Sequence, residues 1–245
     1  MVMAHKPLNY RTVLKQVCNL AGIDHDTLPT TEWRLIRDLV SRRIRFGWEA
    51  AKWPEVCVTE QRTVTQSGGD EGNFIALDQA GQTEMSEVFA VWNKSPKANT
   101  DVQSLSHYLS ENGVQISTSS SQVYIQFRKV APEFAGELYS QSKAYVTGDH
   151  VYDNSHGNFY LALQDVASGA DNSPKTQPTY WSLVSVPYLF SDYLIRGAYA
   201  DYLRHNGELD RARVAESDAR GALDHELLKL HTQQGQTTRL QVSTY

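Results

Sequence analysis

The spacing of apolar residues changes twice along the chain, and that change limits the fold more than any other feature. Towards both ends, apolar residues recur every three or four positions, the period of a helix with one buried face. Between them they alternate, the period of a half-buried strand. Val13, Val17 and Leu20 share a stripe within 9–21, and Gly22 supplies a stop. Trp33, Ile36, Val40 and Ile44 form a second stripe; Thr30 or Thr31 is expected to cap that helix and Pro54 to end it. Pro187 opens a third helix that carries Tyr188, Ser191, Ile195, Tyr199 and Tyr202 and stops at Asn206-Gly207. A fourth, over 208–232, carries Leu209, Ala212, Ala215, Ala219, Leu223, Leu227 and Leu230, and its alanines suit close approach of a neighbouring helix.

The middle reads as strands. "VCVTEQRTVTQ" (56–66) alternates and is β-branched, "FIAL" and "SEVFAVW" follow, and 107–127 holds further strands with a turn at Asn112-Gly113. Residues 137–187 combine turn formers with rings, which predicts a miniature sheet leaning on aromatic packing, since so small a unit has little core. The expected class is α+β. A helical bundle is expected from 1–55 and 187–232, a β-rich region from 56–136, an inserted β module from 137–186 and an extended arm from 233–245.

Charge and motifs narrow the function. The 23 basic and 28 acidic residues leave a net charge of −5, which argues against an autonomous reader of duplex DNA. A mildly negative wall would still let DNA slide past without gripping it. Cys18 and Cys57 lack a CxxC spacing and are expected as buried, reduced thiols. No signal peptide and no membrane-spanning run is expected. The phosphate-loop, GxSxG, HExxH and EF-hand patterns are missing, so the reading is a non-enzyme without cofactor or metal. Asp149, His150, Asp153 and His156 come nearest to a ligand cluster, but strand alternation would separate them. Arg34, Arg37, Arg42, Arg43 and Arg45 crowd the second helix. Each alone suits a solvated face with partners such as Asp38 and Glu49; as a group they suit an interface with an acidic partner or a surface facing DNA.

Two resemblances add to this. Within 144–184, the order Tyr145, Gly148-Asp149, Val151, Tyr160, Ala162, Pro174 and Trp181 resembles the small carbohydrate-binding modules of bacterial chitinases, families five and twelve. That resemblance implies a portable module with Tyr145, Tyr160 and Trp181 as sugar-stacking rings. The chain departs from it at the start, where "GELYSQSKAY" offers Tyr139 in place of the usual tryptophan. The second resemblance lies in the flanks. "WEAAKWPE" within 33–64, and downstream "YLIRGAYADYLRHNGELDRARVAESDARGALDHELL" with its Gln-rich tail, resemble the head–tail connector, or neck, proteins of tailed bacteriophages.

This second likeness implies a virion structural protein without catalysis, forming a ring of about twelve copies between portal and tail. Its partners would be other copies of itself, the portal protein, a tail or nozzle protein, and genomic DNA passing the lumen without specific binding. No membrane partner is implied. Its place would be the virion neck, after assembly in the host cytoplasm. The C-terminal arm, with Arg239, Leu240, Val242 and Tyr245, would reach the portal. The alternative is a glycan-binding tail or accessory virion protein acting through 137–186.

Overall fold

The computed structural model describes residues 6–66, 72–97, 101–111 and 113–233. Among them the elements run α1 (Tyr10–Ala21), α2 (Thr30–Glu49), β1 (Cys57–Thr63), β2 (Asn73–Ile75), β3 (Met85–Trp92), β4 (His107–Ser110), β5 (Gly113–Ile116), β6 (Gln122–Lys129), β7 (Glu137–Leu138), β8 (His150–Asp153), β9 (Asn158–Ala162), β10 (Trp181–Leu183), α3 (Ser191–His205) and α4 (Leu209–Gln233). The fold is α+β. It divides into two compact units, one from Met1–Ala51 and Pro132–Tyr245, the other from Lys52–Ala131.

In the first unit, local chemistry sets the helix ends. The Asn9 side chain accepts a bond from the Thr12 amide and caps α1, and Gly22 closes it in the left-handed conformation at φ 72°. The face of α1 that is buried comprises Tyr10, Val13, Leu14, Val17 and Cys18, whereas Leu20 is 46% exposed. α2 enters from Pro29 and has no side-chain cap, so neither Thr30 nor Thr31 takes that role. Proline holds the chain extended at φ −56°, and its carbonyl accepts the first helical bond from Trp33. The helix ends at Glu49, short of the Pro54 expected to end it.

α3 packs against α1, α2 and α4. Glycines permit this: a Cβ at Gly47 would crowd Phe190 and Tyr193, and one at Gly197 would meet the Arg43 side chain. Tyr188, expected on the α3 stripe, lies in a preceding 3-10 turn and is 56% exposed. α4 buries Ala212, Ala215, Ala219 and Leu230 and leaves Leu209 exposed.

The segment 137–186 belongs to this same unit. Its strands form one sheet in the order β10-β9-β8-β7, antiparallel except for the β7–β8 pair. Alternation gives the sheet two apolar faces. Tyr152 and Phe159, opposite each other in register, meet Tyr10 of α1 at ring-centroid distances of 5.6 and 4.8 Å, and Trp33 of α2 and Phe134 join them. Val151, with Tyr145, Ala162, Val166 and Trp181, forms a core on its own. Polar bonds complete the seat: Arg11 N donates to Gly157 O at 2.9 Å, and Arg37 donates to Gly136 O at 2.6 Å. A portable appendage was expected; the observed sheet uses one face to cover two helices.

The second unit holds two antiparallel three-stranded sheets, β1-β6-β3 and β2-β5-β4. Their apolar residues, Val64, Ile75, Met85, Val91, Val114, Ile116, Val123, Ile125 and Phe127, form one core. Each large side chain so buried stabilises by about 1.5–3 kcal/mol. β3 carries two register shifts against β6, whereas β1 pairs without interruption.

Candidate functional site

The crowded arginines of α2 separate in space. Arg42 and Arg45 stand exposed, and Arg45 reaches Glu49 one turn on at 3.3 Å. Arg34 pairs with Glu137 at 2.9 Å, and Arg37 with Asp38 at 2.8 Å. Arg43 is only 6% exposed and turns inward. Its Nε and Nη2 donate to the two oxygens of Asp201 on α3 at 2.7 and 2.8 Å, and Nη2 also donates to Glu216 of α4 at 2.5 Å. Arg204 bonds both carboxylates, at 2.6 and 3.0 Å, and Arg220 bonds Glu216 at 3.2 Å. One guanidinium therefore fastens three helices, in the fork geometry that makes arginine–carboxylate pairs strong.

The electrostatics follow from this geometry. Burial alone would weaken the charge on Arg43, but its bonds to Asp201 and Glu216 outweigh burial and raise its pKa. The Arg43 guanidinium holds the Glu216 carboxyl down at about 2, against an ordinary 4.5. Arg43 therefore corrects the expectation of an outward arginine: it is a clamp within the chain. Its position carried a signal, since 36, 40, 43 and 47 share the helical spacing of the apolar stripe.

The rings of 137–186 also depart from expectation. Tyr145 and Trp181 are each 4% exposed, so neither offers a face to a sugar. Tyr139 stacks on Tyr145 at 5.5 Å, Trp181 meets Tyr145 edge-on at 5.5 Å, and Trp181 Nε1 donates to Asn172 O at 2.9 Å. A sheet of this size has few residues to bury and uses its largest rings for its own core. Tyr160 is half-buried against the same core. Arg239, Leu240, Val242 and Tyr245 lie outside the described residues.

The four residues weighed as metal ligands do not act as a set. Asp153 is buried in the β8–β9 turn, where it accepts from Ser155 Oγ at 2.6 Å and pairs with His156 Nδ1 at 2.5 Å. Burial opposes its charge, but those bonds prevail and its pKa is lowered. Asp149 instead accepts from the Val146 amide at 3.0 Å. Asp24, His25 and Asp26, which sequence reading passed over, bring their ligand atoms within 4.8 Å in the loop between α1 and α2. There Asp24 accepts from the Asp26 amide at 3.0 Å, an ordinary turn bond.

Among the described residues, no helix is long and apolar enough to cross a membrane. No protein-family model matches the chain, and no curated protein matches it.

Proposed function

We propose that the chain is a virion structural protein, the adaptor that forms a ring between the portal and the tail of a tailed phage. One observation carries the reading. The two stretches that resemble neck proteins, far apart in sequence, meet through the Arg43–Asp201–Glu216 clamp. Segments separated by 137–186 thus build one helical scaffold, as a portal adaptor's bundle requires. Arg42 and Arg45, exposed on α2, are then available to a neighbouring copy, and α4 presents Val214 and Leu228, each 65% exposed, on another side. A ring needs two such different faces. The second reading, sugar binding by the rings of 137–186, loses its basis with Tyr145 and Trp181 buried.

The test mixes purified full-length chain with portal protein and images the product by negative stain. Rings of about twelve copies on the portal are expected. Truncation after residue 233 should abolish attachment and leave the circular dichroism unchanged. A subunit that stays single at all concentrations and ignores the portal would end the reading.

A further inference from the structure

An open cleft of about 710 Å³ lies against the sheet β2-β5-β4 and the loop that follows β5. Gly72, Asn73, Tyr108 and the run 115–119, which includes Ile116, line it. Its volume falls within the range of small-ligand sites, roughly 300–1,000 Å³. Tyr108 stands opposite Gln115 in register, so these two share one face of the sheet, while Asn73 stands opposite Ile116 on the other, and the cleft draws residues from both faces. The Tyr108 residue is 67% exposed, the most open aromatic among the described residues, while Gln115 is only 6% exposed yet reaches the cleft. Asn73 Nδ2 donates to Thr118 O at 2.5 Å, and Ser120 N to Thr118 Oγ1 at 3.1 Å, which fixes the rim.

We propose that this cleft binds a neutral oligosaccharide. Three features converge on that ligand. The lining residues carry no formal charge, so a polyanion such as nucleic acid finds no cation there. Amides and hydroxyls both donate and accept, as sugar hydroxyls do. An open tyrosine beside them supplies an apolar platform for the C–H face of a pyranose ring. Gln115, buried and lining the cleft, has little side-chain freedom left to lose on binding. The cleft lies outside 144–184, the segment that resembles carbohydrate-binding modules, and the proposal does not depend on the ring reading.

Calorimetric titration of the full chain with maltohexaose, cellohexaose, laminarihexaose and chitohexaose tests it. At least one should give saturable binding at millimolar concentration or below. Tyr108→Ala should weaken that binding about tenfold, a loss of ~1.4 kcal/mol, Tyr108→Phe should retain it, and Tyr160→Ala should leave it unchanged. Melting curves establish that each variant folds. Saturable binding to none of the four overturns the proposal, as does binding that survives Tyr108→Ala. So does Tyr108-dependent capture of the synthetic peptide TTRLQVSTY where no hexaose binds, which would make β4 an edge for a protein strand.

Discussion

Arg43 and Arg62 are both buried cations, one on a helix and one on a strand, and they are answered very differently. Arg43 meets two carboxylates, each through a two-bond fork. Arg62, fully buried on β1, has one carboxylate, Glu60 at 2.9 Å, together with the Thr83 carbonyl and the face of Phe127 at 4.8 Å. Its Nε and Nη1 have no partner among the described residues. Burial accordingly lowers the Arg62 pKa despite Glu60, whereas the bonds of Arg43 raise its own. Burial is the same penalty in both places; the number and charge of the acceptors decide its outcome. The two arginines therefore do different work. Arg43 adds stability by locking three helices. Arg62 places a charge inward on β1, a sheet-edge strand, a feature that discourages pairing with foreign strands.

The sharpest way to break this contrast is Arg43→Ala. It strands Asp201 and Glu216 and should lower unfolding stability by about 3–5 kcal/mol, read by urea denaturation. A loss under ~1 kcal/mol would mean that Arg204 and Arg220 already satisfy the carboxylates. A smaller effect is expected from acid. The Glu216 pKa is depressed when folded, so its contribution is whole above pH 4.5 and fades as pH falls towards about 2. Comparing melting temperatures across that range with Glu216→Gln, which lacks the component, isolates it; parallel curves would refute the clamp's charge character. The smallest change should come from Arg62→Met. Replacing an under-partnered buried cation by an apolar side chain should alter stability by less than ~1 kcal/mol or raise it, while ultracentrifugation should detect more self-association. A loss as large as that of Arg43→Ala would erase the distinction.

Periodicity alone marked the four helices, because a buried stripe must repeat at the helical turn; Val13, Val17, Ile36, Val40 and Ile44 are all buried as their spacing implies. It did not mark the cap of α2, since Pro29 admits the chain without a side-chain acceptor. Alternation likewise indicated strands in 137–186 but not how their faces are used. Tyr152 and Phe159 cover Tyr10, more than 140 positions away, while Tyr145 and Trp181 face their own small core. The Tyr108 cleft had no sequence signal at all, because its residues come from three strands and the loop between β5 and β6 and are individually ordinary.

The sequence by itself determined the α+β class and the order of helical and strand segments, for these depend on spacing between near neighbours. Only the tertiary structure decided which charges and rings are available to a partner. Arg43 finds Asp201 and Glu216 at separations of 158 and 173 residues, and Tyr145 and Trp181 close on each other across a sheet. Such pairings are selected by the global packing of the chain, and local propensity contains no term for them.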